Sequence, residues 1–335
     1  MTIPYVTDID PEYGKVVEVS PSVRRVIANN PGRFTFTGTG TYIIGRGQVA
    51  VIDPGPENDD HVAAILAGLP GEEISHIVVT HTHKDHSPAS RALQTATGAP
   101  IYGFGRHPVL PEEEVLRSKP TTWDMLLPTP EELEELKKSM AFPSDDENEH
   151  EQDEPGDMAF NPDVEIGHGD LIKGGTWTLE AVHTPGHISN HLCFGFKEEK
   201  SLFSGDHVMG WSTSVIPSPE GAMGEYMDSL YLLLDRNDEF FYPTHGPRIP
   251  EPISFTRSLI AHRQDREQQI LNCLSEGPMA IPDLVMKMYV ETPHILYMAA
   301  GQSVYSHLVY MVQKGMVETE GAPSADGIYR LGSTK

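Results

Sequence analysis

Three imidazoles and a carboxylate fall within six residues at His81-Thr82-His83-Lys84-Asp85-His86. The stretch follows Ile74-Ser75-His76-Ile77-Val78-Val79, a short β-branched run that reads as a buried strand delivering the histidines to a loop. A loop that turns sharply there can aim His81 and His83 at one cation while Asp85 and His86 reach a second beside it. Neither set is complete, because a catalytic zinc takes about three protein ligands and keeps one position for water. The missing donors must come from later in the chain. Three candidates follow short apolar segments: His187 in His183-Thr184-Pro185-Gly186-His187, Asp206 in Phe203-Ser204-Gly205-Asp206, and His245 in Tyr242-Pro243-Thr244-His245-Gly246. Nitrogen and oxygen donors suit zinc, and iron or manganese would fit the same set. No serine among Ser87, Ser189 and Ser204 stands in a Gly-x-Ser-x-Gly elbow, so these read as loop or capping residues.

In their order and intervals these motifs resemble those of the metallo-β-lactamase superfamily, from about residue 34 to 256. Val51-Ile52-Asp53-Pro54-Gly55 resembles that family's Asp-containing turn, which supports the site from outside the ligand set. The resemblance implies an α/β fold, an αββα sandwich with the metals at one sheet edge. It implies that His81, His83 and His187 hold one ion, that Asp85, His86 and His245 hold the other, and that Asp206 bridges them. Two zinc ions roughly 3.5–4 Å apart can share a hydroxide that is nucleophilic at neutral pH. Hydrolysis is the expected reaction, with Asp85 orienting that hydroxide. Lactamases with a Cys ligand carry it at the fourth motif, where Asp206 stands here, so the chain sits with hydrolases that resemble glyoxalase II, lactonases and nucleases. Over nearly its whole length, with Gly205-Asp206-His207-Val208-Met209-Gly210-Trp211-Ser212-Thr213-Ser214-Val215-Ile216, it resembles the lactamase-beta-like protein 2 group, which includes endoribonucleases acting on single-stranded RNA.

Other residues near the motifs are candidates for supporting or substrate contacts. His183, His191 and His207 flank the metal motifs, where a hydrogen bond behind a ligand or a contact with substrate is expected. Ser212, Thr213, Ser214 and Tyr226 are candidates to line the substrate pocket. His61, His107, His150, His168, His262 and His307 read as ordinary surface or core histidines.

The elements that must position these groups alternate along the chain. Residues 35–44 and 48–52 read as paired strands, 59–69 and 87–97 as helices, 176–182, 192–196 and 201–203 as strands, and 224–234 as a helix with one apolar face. A length of 335 residues suits about two domains. The catalytic region is placed at 1–257, with an acidic insertion at about 112–163, and a second domain at 258–335. There, a long helix at 255–274, helices at 281–289 and 303–314, and a hairpin from 316–320 and 327–331 resemble a winged-helix module.

Charge separates the candidate partners. The net charge is −25, and residues 112–163 alone hold 17 acidic against 4 basic side chains. Ser144 to Glu154 is nearly free of apolar groups and reads as a solvated loop, preceded by a short helix at 129–138 with Thr129 as its cap. Residues 276–335 carry four basic and six acidic side chains. Phosphate binding needs a basic face, so the tail is not expected to bind DNA, and a structural, dimerising or site-flanking role is expected instead. RNA would need a local groove built from Arg33, Arg46, Lys84, Arg106 and Arg248, whereas a small ester or thioester meets less repulsion. A third reading, a non-catalytic metal-binding or interaction protein, sits poorly with a full ligand set. Cys193 and Cys273 offer no disulfide framework, and neither a signal peptide nor a long apolar run is visible. A cytoplasmic protein without a membrane anchor, and with the capacity to form a homodimer, is the expectation.

Overall fold

The computed structural model describes residues 3–132, 134 and 156–333. One sheet follows chain order through β1 (Val17–Glu18), β2 (Val23–Ile27), β3 (Gly40–Ile44), β4 (Gln48–Ile52), β5 (Glu73–Val78), β6 (Ile101–Gly103) and β7 (Val164–Glu165). β1 to β4 pair antiparallel and β4 to β7 parallel. β8 (Leu171–Lys173), β9 (Thr178–His183), β10 (Leu192–Phe196), β11 (Ser201–Gly205) and β12 (Phe240–Pro243) form a second sheet of order β12-β11-β10-β9-β8. Helices α1 (Asp59–Ala67), α2 (Ser90–Thr97), α3 (Glu112–Ser118), α4 (Met223–Leu234), α5 (Pro252–Leu274), α6 (Ile281–Met288) and α7 (Tyr297–Gln313) surround them. Among the described residues, no helix is long and apolar enough to cross a membrane.

Strand alternation builds the layers, since successive side chains point to opposite faces. Tyr42, Ile44, Ala50 and Ile52 meet Leu192, Phe194, Phe203 and Tyr242 between the sheets. Their neighbours Ile43, Val49 and Val51 turn outward onto Val62 and Ile65 of α1 and Leu93 of α2. Outside the second sheet, Cys193, Leu202 and Phe241 pack against Leu230 and Leu233 of α4 and Phe255 and Leu259 of α5. Strands buried on both faces require covering helices, and the αββα sandwich follows.

Two expected elements begin well inside the ranges read for them. The strand expected at 35–44 begins only at Gly40. Residues 32–36 close a turn through reciprocal backbone hydrogen bonds between Gly32 and Phe36, and Thr39 bridges His245 alone. The helix expected at 87–97 begins at Ser90, because Ser87 is bonded to Asp157 and the Ala89 N–H donates to Gly55 O. The last helix is longer than read and starts at Tyr297 rather than 303.

The tail joins α6 and α7 to a small sheet of order β13 (Met279–Ala280), β15 (Ile328–Leu331), β14 (Val317–Thr319). Its core also holds Trp123 and Leu126 from the acidic insertion. The Trp123 indole donates to Ala325 O at 3.1 Å, and Asp326 accepts from the backbone N–H and hydroxyl of both Thr121 and Thr122. Average charge hid this packed segment. At 129 the expected helix start is present as a reciprocal cap, with the Glu132 N–H on Thr129 Oγ1 and the Thr129 N–H on Glu132 Oε2. Most of that helix, His150 and the stretch from Ser144 to Glu154 lie outside the described residues.

Candidate metal centre

Five strands deliver the motifs from their carboxyl ends: β4 leads to Asp53, β5 to the histidine loop, β9 to His187, β11 to Asp206 and β12 to His245. These strands run parallel or are separated by one antiparallel neighbour, so all five ends meet at one edge of the sandwich. Gly186 and Gly205 stand immediately before His187 and Asp206, both at positive φ (137° and 52°). A Cβ at Gly186 would lie 2.3 Å from the Tyr226 Cα, and one at Gly205 would lie 2.5 Å from His191 Nε2. Only glycine lets the chain turn that closely.

Each of five imidazoles has one ring nitrogen turned outward onto a fixed protein atom, and that contact sets the tautomer. His81 Nδ1 is 3.0 Å from Thr80 Oγ1, whose own proton goes to Asp53 Oδ2. His187 Nδ1 donates to Val215 O at 2.5 Å, and His245 Nδ1 to Gly38 O at 3.3 Å. His86 Nδ1 donates to Asp53 Oδ2 at 3.0 Å. His83 is reversed, with Nε2 outward and 3.3 Å from Glu220 Oε1. In these tautomers the inward nitrogens of His81, His83 and His187 carry the lone pairs. His81 Nε2 and His187 Nε2 lie 2.9 and 3.0 Å from His83 Nδ1, with no proton left to share between them.

Beside this all-nitrogen group, His86 Nε2 lies 3.3 Å from Asp85 and 3.6 Å from Asp206, and His245 Nε2 lies 3.1 and 3.4 Å from the same two carboxylates. Among the described residues, His86 Nε2, His245 Nε2 and Asp206 Oδ1 are nonetheless buried without a hydrogen-bond partner. Burying such atoms unpaired costs about 1–3 kcal/mol each, and a shared cation removes that cost. His81, His83 and His187, then His81, His86 and Asp206, then Asp85, His86 and His245 each bring their donor atoms within 4.8 Å of one another. The residues present fit a pair of divalent ions, with Asp206 between the two groups.

Electrostatics separates the two groups. Burial and the neighbouring imidazoles push His81 well below its ordinary value, and burial followed by His83 lowers His187 to about 4. Burial would lower His86 and His245 too, but the carboxylates prevail. Asp85, Asp206 and Asp53 hold His86 well above its ordinary value, and Asp206 with Asp85 lifts His245 to about 10. Asp85 and Asp206 are held well below the usual carboxylate range by the same imidazoles, against the opposing effect of burial.

Residues 35–245 match the metallo-beta-lactamase superfamily. The chain belongs to that superfamily. The Beta-lactamase-like protein 2 homolog of Drosophila melanogaster is 30% identical over 93% of this chain and 94% of its own. The Atrochrysone carboxyl ACP thioesterase of Claviceps purpurea is 27% identical over 85% of this chain and 78% of its own. A Beta-lactamase domain protein from Burkholderia ambifaria, 19% identical, shares the fold at a TM-score of 0.72 over 97% and 96% of the two chains. As a superfamily member the protein is a metal-dependent hydrolase.

The structure sorts the remaining candidates. Asp53, at φ 48°, accepts from the Thr80 N–H and hydroxyl, the Thr244 hydroxyl and His86, and so ties three motifs together. His191 Nε2 accepts the Asp206 N–H at 3.2 Å, with Nδ1 on Thr184 Oγ1, and seats the backbone of that residue. His183 touches none of the ligands; it stacks on Phe104 and bonds Ser189 O. His207 is fully buried between His191 and Tyr226, with neither nitrogen partnered, and burial lowers it to about 3. Tyr226 is also fully buried, with Arg263 over its ring, so it is packing and not a pocket wall. Ser214 is buried and donates to the carbonyls of Asp206 and His207, while the half-buried Ser212 makes a local contact to Thr213 O, and Thr213 is half-buried as well. Two contributors were missed. His107, read as an ordinary histidine, and Glu220 both lie against the centre.

Proposed function

We propose that the protein is a binuclear hydrolase with zinc as the preferred ion, and that it cleaves a thioester or ester of an organic acid. Iron and manganese are the alternatives for the same donors. When bound, a pair of divalent ions supplies an ionised water at neutral pH and polarises the carbonyl under attack. The chain's own part is to hold the donors. Asp206 sits where both groups can use it, and His191 fixes its backbone. Asp85 is the more open of the two central carboxylates, its side chain 27% exposed against 10% for Asp206. That exposure supports a role for Asp85 in orienting a water and taking its proton.

The observation that carries this reading is the meeting at one sheet edge of five imidazoles, each held from behind by a protein atom, with the buried Asp206 and the partly exposed Asp85. The substrate class is supported by the thioesterase of Claviceps purpurea, whose name states its activity. RNA is the rival substrate, through resemblance to the endoribonuclease-containing group. Against it stand the charge of −25 and the use of two of the five candidate cations within the protein, Arg46 with Glu18 and Arg106 with Asn161. The tail, winged-helix-like in this reading, supports the site rather than binding nucleic acid.

The test is turnover of acyl-pantetheine and acyl-glutathione thioesters by zinc-loaded protein, with labelled single-stranded RNA assayed in parallel. Thioester cleavage that disappears in Asp206→Ala is expected. RNA cleavage lost in the same variant, with thioesters untouched, would overturn the substrate class and keep the hydrolase.

A further inference from the structure

Glu220 belongs to none of the metal motifs, yet it is only 8% exposed. A buried carboxylate needs compensating hydrogen bonds. Its Oε1 lies 3.3 Å from His83 Nε2 and 3.3 Å from His107 Nε2. His107 Nδ1 in turn reaches Thr82 Oγ1 at 2.8 Å, and Asn190 Nδ2 donates to the same hydroxyl at 2.8 Å. The network thus leaves the histidine loop at His83 and returns to it one residue earlier.

His83 is the imidazole whose ring is reversed. Its four companions turn Nδ1 outward onto a backbone carbonyl, a threonine hydroxyl or Asp53. His83 turns Nε2 outward, the atom farthest from its own backbone, and the partner it meets is 137 residues away in sequence. That partner's segment is anchored from the tail. Ser306 Oγ of α7 donates to Ile216 O at 2.5 Å, and Arg263 of α5 donates to Ser214 O at 2.6 Å. Val215, whose carbonyl accepts from His187, lies between these anchors.

We propose that Glu220 is a positioning residue for the all-nitrogen half of the centre. It fixes His83 with the proton on Nε2 and the Nδ1 lone pair turned toward His81 and His187, while His107 holds the carboxylate in place. The inference rests on the reading of His81, His83 and His187 as a metal set. Removing an acceptor behind a metal-bound histidine commonly costs about 10–100-fold in metal affinity.

The experiment measures zinc stoichiometry and affinity by chelator competition, with kcat, KM and the melting temperature of metal-free protein, for parent, Glu220→Ala and Glu220→Gln. In Glu220→Ala one of two zinc equivalents is expected to weaken about 10–100-fold, with the other equivalent, KM and melting temperature close to parent. In Glu220→Gln, whose amide oxygen still accepts from Nε2, that affinity is expected to recover most of the way. If Glu220→Ala does not fold, Glu220→Asp, with its carboxylate withdrawn by one methylene, takes its place with the same expected weakening. Unchanged affinity would overturn the proposal, as would equal weakening of both equivalents together with a lowered melting temperature. A parent protein that takes up no zinc would instead sink the metal reading, and this inference with it.

Discussion

His81, His83 and His187 face one another with the Asp206 carboxylate no nearer to His187 than 3.9 Å, whereas His86 and His245 each have Asp85 and Asp206 within 3.6 Å, and His86 has Asp53 as well. The same side chain therefore meets opposite fields a few ångströms apart. In the first group burial and the neighbouring imidazoles keep His81 and His187 neutral at pH 7, with lone pairs ready to donate. In the second, the carboxylates hold protons on the rings until an ion displaces them. One half is prepared for a cation by the absence of charge, the other by an excess of it.

The largest effect should come from the residue common to both halves. Asp206→Ala is expected to lower turnover at least about a hundredfold, beyond the loss typical of a residue behind a ligand, and to weaken both zinc equivalents in a chelator titration. If only one equivalent suffers, Asp206 does not join the halves. Next, His187→Ala and His245→Ala should each reduce tight zinc binding from two equivalents to one, measured by metal analysis after gel filtration. The comparison sharpens if cobalt spectra of the two variants differ, one reporting an all-nitrogen set and the other a set with carboxylates.

The pH dependence separates the halves without mutation. His245 and His86 are raised, so at pH 7 their protons are bound and must leave when metal enters. Zinc affinity at that half should rise with pH toward about 10, by up to about tenfold per unit for each proton displaced. At the other half His187, lowered to about 4, is already deprotonated at neutral pH, and affinity should stay flat from about pH 6 upward. In metal-free protein the raised His245 contributes stability that is complete below about pH 6.5 and lost as pH climbs through about 10. Parallel zinc titrations of His187→Ala and His245→Ala across pH would show this, and equal slopes would erase the distinction.

Asp53→Asn should give the smallest effect. It replaces one of the oxygens that meet Thr80, Thr244 and His86 with a donor, at a cost of about 1–3 kcal/mol in a denaturant melt. The loss should fall on the carboxylate-rich half alone, because Asp53 touches His86 and reaches the other group only through Thr80.

The donors were legible in the sequence because their identities are chemical and their spacing is local. Asp53 and the four residues of the histidine loop lie at one edge with His187, Asp206 and His245. The atoms behind them were not legible. Val215 O and Gly38 O are backbone carbonyls, which every residue possesses. Glu220 meets His83 across 137 residues with nothing local to mark it. Tyr226 shows the limit of periodicity, which placed it on the apolar face of α4 but could not say that this face enters the core. Trp123 was lost in the acidic average of its segment, although a tryptophan directly after two threonines there is the residue most able to anchor a chain.

α5 runs unbroken for 23 residues, about 35 Å at 1.5 Å per residue. Phe255 and Leu259 near its start belong to the packing of the second sheet, and Ile270 and Leu274 at its end to the tail. A continuous helix has no hinge, because bending it sharply means breaking its own backbone hydrogen bonds. Mechanically the tail is a lever clamped to the sandwich rather than a passenger on a tether, and calorimetry should find the two unfolding together. A cut between 252 and 274 severs two cores at once.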